Sequence, residues 1–250
     1  MTGNKFFSAL LMTGLALLLP ASAMAVMPEG VMTLLIAKDK TRVYSSFVSA
    51  MNNNNKVVLL FHQAGSNRME YEPVLGAIHV ANFDTLTVDQ RSGGDDWDFE
   101  NATVKKLGES TEYSEAYPDL EAALTWAQRK RYKTIIVVGS SYSASLGIVL
   151  ASKHGSDIDA VAAYSPGEYF ADKNWIKTAV SNLAVPLYIT GSDTEQDRIS
   201  EVLQWKKDQD ITNFKPANAV HGASMLRQDK NPEGYKTNMD NLLMFLKRFK

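Results

Sequence analysis

The chain has 250 residues, of which 45% are hydrophobic and 22% are charged, and this is the composition of one ordinary globular domain with a sizeable core. The formal net charge of −2 provides no basic surface that would attract nucleic acid, which is therefore not an expected partner. The chain has no cysteine, and this excludes disulfide bonds, thiolate metal sites and a cysteine nucleophile.

The first 25 residues have the features of a signal peptide. Lys5 is the one charged side chain in this stretch, an apolar run follows over residues 6–19, and small residues at 21, 23 and 25 match the pattern that signal peptidase cleaves. The apolar run is too short for a comfortable membrane span. We therefore expect residues 1–25 to be removed. The mature chain would begin at Val26, reside in the periplasm or outside the cell, and make no membrane contact.

Strand-like patterns recur along the remaining residues. Runs rich in β-branched residues lie at residues 31–37, 41–48, 56–61, 84–89, 134–139, 158–164, 185–190 and, more weakly, 210–214. From Val57 onward these runs are nearly continuous in hydrophobicity, which is typical of strands buried on both faces of a parallel sheet. The first two runs alternate more strongly and favour an antiparallel hairpin at an edge of the sheet.

Helix-like patterns separate these runs, at residues 114–131, 143–153, 194–207 and 234–249. The alternation of strands and helices predicts a single α/β domain over residues 26–250. Its mostly parallel central sheet would have about eight strands and would be flanked by helices.

The carboxyl ends of the predicted strands carry the residues of chemical interest. In a parallel sheet, functional side chains gather at these ends. In this chain the ends lead into residues 62–66, 90–94, 139–143, 191–193 and 220–222. Three of these segments contain, in chain order, a serine, an acid and a histidine, which is the order of one class of serine hydrolases.

The segment Gly139-Ser140-Ser141-Tyr142-Ser143 resembles the G-x-S-x-G nucleophile elbow of the α/β-hydrolase fold family, with Ser143 in place of the last glycine. The resemblance extends over essentially the whole mature chain and is greatest to small, lid-poor members of the esterase and dienelactone-hydrolase-like kind. It implies a serine hydrolase that cleaves a carboxylic ester, lactone or thioester of modest size. Two alternatives stay open, namely a peptidase or amidase and a non-catalytic binding protein on the same fold.

The resemblance also implies the reacting residues. Ser141 is the expected nucleophile, and Ser143 is the second choice because it is also flanked by small residues. His221 is the expected general base, since it follows the acid and precedes the C-terminal helix.

Asp193 is the acid that we expect to receive the imidazole N–H, because it follows Gly191-Ser192 at the tip of an apolar strand. Asp208 and Asp210 compete for this role, but they lie in the charged stretch "KKDQD" and resemble solvated carboxylates at a helix end.

Backbone N–H groups of Tyr142 and of Gln63 or Ala64 are the expected oxyanion hole. His62 is expected to shape this loop and, with Trp97, Tyr169 and Phe170, to form part of the pocket wall. Packing of the aromatic residues in the core is an equally plausible alternative.

A lid and a metal site are both unexpected. Residues 166–183, where the family inserts its lid, leave room for about one helix. The acidic residues of 93–106 lack the spacing of an EF-hand and favour a solvated loop. We therefore expect a small-molecule substrate and no cofactor or metal, while the oligomeric state and any gating by residues 93–113 stay undetermined.

Overall fold

The computed structural model describes residues 30–50, 52, 54–206 and 210–249. The expected signal peptide, its cleavage site and Asp208 lie outside these residues. An eight-stranded sheet forms the centre of the molecule, in the order β1-β2-β4-β3-β5-β6-β7-β8. The strands are β1 (Val31–Ile36), β2 (Arg42–Val48), β3 (Lys56–Phe61), β4 (Asp84–Val88), β5 (Thr134–Ser140), β6 (Ala160–Tyr164), β7 (Leu187–Thr190) and β8 (Ile211–Asn213).

The sheet is parallel from β4 to β8, and β2 pairs antiparallel with both β1 and β4. The prediction of a mostly parallel sheet with an antiparallel hairpin at its edge is therefore confirmed. The weak run at residues 210–214 also forms a strand, although it is only three residues long.

Seven α-helices lie within the described residues. They are α1 (Leu75–Val80), α2 (Ala102–Leu107), α3 (Tyr117–Arg129), α4 (Tyr142–Lys153), α5 (Trp175–Ser181), α6 (Gln196–Leu203) and α7 (Tyr235–Leu246). The four predicted helices correspond to α3, α4, α6 and α7. The segment 93–113, expected as a loop, contains α2, which Asn101 caps by accepting hydrogen bonds from the N–H groups of Thr103 and Val104.

The core has two layers, one on each face of the sheet. Val57, Leu59 and Phe61 of β3 face the layer formed with α3, α4, α5 and α6, whereas Val58 and Leu60 face the layer formed with α1 and α7. Burial on both faces is the physical reason that the central strands are almost continuously apolar.

Between β6 and β7 the chain forms α5 and no separate lid domain. The carboxyl ends of the strands are therefore not covered by an inserted domain. None of the described helices is both long enough and apolar enough to cross a membrane.

Candidate active site

A strained turn places Ser141 between β5 and α4. Its backbone has φ 59° and ψ −123°, a conformation that a non-glycine residue adopts only when its surroundings hold it there. The N–H of Ser141 donates to the carbonyl oxygen of Tyr164 at the end of β6, at 2.8 Å. The turn is thus fixed to the neighbouring strand.

Close packing of α4 against β5 explains the glycine before the turn. A Cβ atom on Gly139 would lie 2.5 Å from the Cα of Ala144 and 2.5 Å from the carbonyl oxygen of Ser143. Backbone atoms cannot move away as a flexible side chain can, and the position therefore requires glycine.

Ser143 has a structural environment that differs from that of Ser141. Its hydroxyl accepts a hydrogen bond from the N–H of Ser140 at 2.9 Å and donates to the carbonyl oxygen of Phe61 at 2.6 Å. The side chain is fully buried. These bonds hold the hydroxyl between β3 and the turn, which favours Ser141 over Ser143 as the reactive serine.

His221 lies between Ser141 and an acid. Its Nε2 is 2.8 Å from Ser141 Oγ, and its Nδ1 is 2.5 Å from Glu195 Oε1. A carboxylate is an acceptor only, so Nδ1 carries the proton and Nε2 is free to accept from the serine hydroxyl. This is the arrangement that a Ser-His-acid relay needs.

The acid beside His221 is Glu195, and the expectation that Asp193 receives the imidazole N–H is wrong. Both residues lie in the 3-10 turn that follows β7, but Asp193 is exposed and Glu195 is buried. Ser192 and Glu195 form a capping box, which turns the Glu195 side chain toward the protein interior. The acid beside His221 is therefore two residues further along the chain than the expected Asp193. Of the competing acids, Asp210 is paired with Arg248 at 2.7 Å.

Four donors hold the Glu195 carboxylate, and one of them is the Ser192 hydroxyl, which donates to Oε2 at 3.0 Å. The Ser165 hydroxyl donates to Oε2 at 2.7 Å, the Ser192 N–H donates to the same oxygen at 2.9 Å, and His221 donates to Oε1. Burial acts to raise the pKa of Glu195, but these hydrogen bonds outweigh it and lower the pKa to about 2. The group is thus ionised at neutral pH and can orient the imidazole.

The loop after β3 supplies one free backbone donor and not two. The N–H of Gln63 is occupied, because it donates to Glu70 Oε2 at 2.8 Å. Its carbonyl oxygen lies 2.8 Å from His62 Nδ1, and in a trans peptide the next N–H, that of Ala64, points the opposite way. The expectation that the Gln63 N–H could serve the oxyanion hole is therefore wrong, and Ala64 remains the candidate from this loop.

The second candidate donor is the N–H of Tyr142. Tyr142 is the first residue of α4, and the first N–H groups of a helix have no acceptor within the helix. It follows Ser141 directly, so the donor and the serine hydroxyl belong to the same strained turn.

Several solved structures share the overall fold of this chain. An esterase of Pyrococcus furiosus superposes with a TM-score of 0.69 at 17% identity, over 88% of this chain and 91% of that chain. A dienelactone hydrolase of Anabaena variabilis superposes with a TM-score of 0.64 at 12% identity, over 86% of this chain and 96% of that chain. An esterase domain of Rhodothermus marinus superposes with a TM-score of 0.64 at 12% identity, over 88% of this chain and 98% of that chain.

The chain has the α/β-hydrolase fold. The similarity is one of structure, since no family model and no curated protein matches the sequence. Ser141, Glu195 and His221 follow the fifth, seventh and eighth strands of this sheet.

A cavity of about 370 Å³ adjoins His221 in this α/β-hydrolase fold. Trp97 forms part of its wall, together with Gln63, Ser224 and Lys230. The indole N–H of Trp97 donates to Ser66 Oγ at 2.7 Å, and the Arg227 guanidinium lies 3.9 Å from its ring centroid. Trp97 is therefore a fixed wall, and its polar edge is already satisfied.

Two of the expected wall residues lie elsewhere. His62 is fully buried beneath the loop, where its Nε2 accepts from the N–H of Gln90 at 2.9 Å. Burial lowers the pKa of His62, which keeps it neutral and in a structural role. Phe170 packs edge-on against Trp175, with ring centroids 4.8 Å apart, and belongs to the core.

Tyr169 lies near the serine on another side of the site. Its hydroxyl donates to the carbonyl oxygen of Ser165 at 2.7 Å. Burial raises the pKa of Tyr169, and interactions with Ser141 and Arg198 oppose that rise. The phenol therefore stays protonated at neutral pH beside the turn that carries Ser141.

No group of three or more potential metal-ligating side chains occurs within the part of the chain that the structure describes. Two of the carboxylates of residues 93–106 instead make local contacts. Asp95 accepts from the N–H of Asn101 at 3.1 Å, and Glu100 pairs with Lys105 at 2.5 Å.

Proposed function

We propose that the protein is an exported serine hydrolase that cleaves a carboxylic ester, lactone or thioester of modest size with Ser141, His221 and Glu195. The observation that carries the proposal is the continuous chain of contacts from Ser141 Oγ through His221 to Glu195, at 2.8 Å and 2.5 Å. A solvated serine-rich turn would not require a strained backbone, a buried acid and an imidazole in line.

The reaction follows from this chain of contacts. His221 Nε2 takes the proton of Ser141 as Oγ attacks the acyl carbon, and Glu195 stabilises the imidazolium that forms. The N–H groups of Ala64 and Tyr142 receive the oxyanion. His221 then protonates the leaving group, and water hydrolyses the acyl-enzyme by the same steps with His221 as base.

The size and openness of the site support a substrate of modest size. The cavity of about 370 Å³ lies at the low end of the range for small-molecule sites. The segment between β6 and β7 forms only α5, so no lid provides a long apolar channel. The structural neighbours are an esterase, an esterase domain and a dienelactone hydrolase, which favours esters and lactones over amides.

A substrate screen with two variants tests the proposal. The chain from Val26 should hydrolyse p-nitrophenyl acetate and butyrate, and Ser141→Ala should abolish this activity. Ser152→Ala is the matched control, because Ser152 lies at the far end of α4 and its hydroxyl donates to the carbonyl oxygen of Val149. Preferential cleavage of aminoacyl anilides would instead identify an amidase, and full activity of Ser141→Ala would refute the mechanism.

Export is a part of the proposal that rests on the sequence of residues 1–25. Protein recovered from the periplasm or the medium of a bacterial expression host should begin at Val26 when its amino terminus is sequenced. Recovery of the chain only from the cytoplasm with Met1 in place would contradict export.

A further inference from the structure

Glu70 is a buried carboxylate that the proposed reaction does not use. It lies in the 3-10 turn Arg68–Val74, which follows the loop containing Gln63 and Ala64, and it is only 1% exposed. Within the described residues no hydrogen bond joins it to Ser141, and Glu195 already accepts the hydrogen bond from His221 Nδ1–H. A role of Glu70 in the site must therefore come from the backbone and side-chain groups that its carboxylate binds.

The two carboxylate oxygens of Glu70 accept from two different catalytic segments. Oε2 accepts the N–H of Gln63 at 2.8 Å, and Oε1 accepts the hydroxyl of Ser140 at 2.8 Å. Ser140 Oγ in turn accepts the N–H of Ala223 at 2.8 Å. Gln63 directly precedes Ala64, Ser140 directly precedes Ser141, and Ala223 lies two residues after His221. Each bonded residue is thus a near neighbour in sequence of a group in the proposed reaction.

Close packing and a second set of bonds join the same three segments. Gln63 Nε2 donates to Ser224 Oγ at 3.2 Å. Gly222 has φ +69°, and a Cβ there would lie 2.5 Å from Ser140 Oγ and 2.6 Å from Gln63 Oε1. The three segments therefore meet at one point, and Glu70 supplies the shared acceptor at that point.

Arg227 fixes the turn that carries Glu70. Its Nη1 donates to the carbonyl oxygens of Met69 and Glu70, at 2.7 Å and 3.2 Å. Arg227 belongs to the same stretch of chain as His221, so the base and the turn are also connected through this side chain.

The ionisation of Glu70 is consistent with a carboxylate retained for its geometry. Burial raises its pKa to about 7, although the hydrogen bonds from Gln63 and Ser140 and the charge of Arg227 oppose that rise. A buried group with so unfavourable a desolvation contributes little net stability. When ionised, the carboxylate offers two acceptor oxygens in one plane, Oε2 to the Gln63 N–H and Oε1 to the hydroxyls of Ser140 and, at 3.5 Å, of Ser224.

We propose that Glu70 is a positioning residue, which sets the loop of Ala64, the turn of Ser141 and the turn of His221 relative to one another. This inference rests on the proposed hydrolase function. Glu70→Gln would keep the shape of the side chain, but its amide NH2 would face a donor, either the N–H of Gln63 or the hydroxyl of Ser140. Either the Gln63 link would break, or the Ser140 hydroxyl would have to turn, accept from the amide and lose Glu70 as the acceptor of its own proton, and in both cases one segment would shift.

The test compares Glu70→Gln with Glu72→Gln, whose carboxylate is exposed on the same turn. With p-nitrophenyl butyrate, Glu70→Gln should lower kcat by about 10- to 100-fold, because displacement of a catalytic group by about 1 Å has an effect of that order. KM should change less than kcat, since Trp97 in the cavity wall is held by Ser66 and Arg227 and not by the Glu70 side chain, and the rate of fluorophosphonate labelling should fall with kcat. Glu72→Gln should match the unmodified protein in all three measurements.

Ser140→Ala keeps the charge of Glu70 and removes one of its links, and it serves as a second variant. It should also lower kcat at unchanged KM, and the effects of Ser140→Ala and Glu70→Gln should be markedly less than additive in the double variant. If Glu70→Gln does not fold, Ser140→Ala alone decides, and unchanged kcat in it overturns the inference. Unchanged kcat in folded Glu70→Gln also overturns it, as does an activity loss that only follows the fraction of unfolded protein. An unmodified protein that neither hydrolyses esters nor reacts with the fluorophosphonate refutes the proposed function itself, and the inference falls with it.

Discussion

The identity of the acid depends on two residues in one short turn. Asp193 and Glu195 both follow an apolar strand, but only the side chain of Glu195 is buried and reaches His221. Sequence reasoning selected the acid nearest the strand end. The pattern Ser192-x-x-Glu195, a capping box, was the signal that could have identified the inward-facing carboxylate.

Replacement of each acid by its amide should separate their roles. Glu195→Gln should lower kcat by up to about 10⁴-fold, because an amide facing Nδ1 disfavours the tautomer that the reaction needs. Asp193→Asn, the matched control, should change kcat by less than about twofold, since its side chain is exposed. Steady-state kinetics with p-nitrophenyl butyrate would measure both. A large loss of kcat in Asp193→Asn, with little loss in Glu195→Gln, would instead identify Asp193 as the acid, as the sequence suggested.

The proximity of Ser141 and His221 could be predicted from the sequence, because their positions depend on strand order and on small residues. Strand ends and a Gly-x-Ser pattern are visible in a single sequence. The direction of a backbone N–H is not visible, and so the sequence could not reveal that Glu70 occupies the donor of Gln63. Glu70 and Ser165 were missed for the same reason, since their partners are distant in the chain.

At the scale of elements, the strands and long helices were predictable because their burial is regular. Leu120, Ala123, Leu124 and Ala127 of α3, which recur at helical spacing, are all buried against the sheet. The short helix α2 was not predictable in this way. It has six residues and one buried side chain, and its boundaries depend on the Asn101 cap and on Gly108.

The junction of β5 and α4 should be sensitive to a single methyl group. Gly139→Ala would place a Cβ 2.5 Å from two backbone atoms of α4, and the helix would have to move away from the strand. We expect a loss of about 1–3 kcal/mol in unfolding free energy, and lower kcat because Ser141 moves with the helix. Urea denaturation and ester hydrolysis would measure the two effects.

Gly155→Ala is the control for this prediction. Gly155 lies just beyond the other end of α4, and the nearest atom to its Cβ would be the carbonyl oxygen of Ala151 at 3.2 Å. Gly155→Ala should lower the unfolding free energy less than Gly139→Ala does, and it should leave kcat unchanged. Equal effects of the two substitutions would show that the packing of the turn is not special.

At the scale of the whole molecule, the stability of the fold should depend on pH through Glu70. Its pKa in the folded protein is about 7, above the ordinary value of 4.5. The folded state therefore binds the proton more tightly, and the contribution of Glu70 to stability is greatest below pH 4.5 and falls as pH rises through 7. From the difference in pKa, the unfolding free energy should fall by about 3 kcal/mol between pH 4 and pH 8 relative to Glu70→Gln.

Urea denaturation of both proteins at several pH values would check this prediction. Glu195 has the opposite sign, since its pKa is about 2, and its contribution is lost only as pH falls below about 4.5. The contribution of Glu195 to the unfolding free energy is the same in both proteins and therefore cancels in the comparison. A difference in unfolding free energy that does not change between pH 4 and pH 8 would show that the Glu70 carboxyl titrates normally.

The central claim is that Ser141 is an activated nucleophile, and the location of a covalent adduct tests it most directly. The folded chain from Val26 is treated with a fluorophosphonate and digested with trypsin, and the peptide between Lys133 and Lys153 is fragmented in a mass spectrometer. The structure predicts one phosphonyl group, on Ser141, that is lost in Ser141→Ala and retained in Ser152→Ala. An adduct on Ser140, Ser143 or Ser145, or no adduct on the folded protein, would contradict the account.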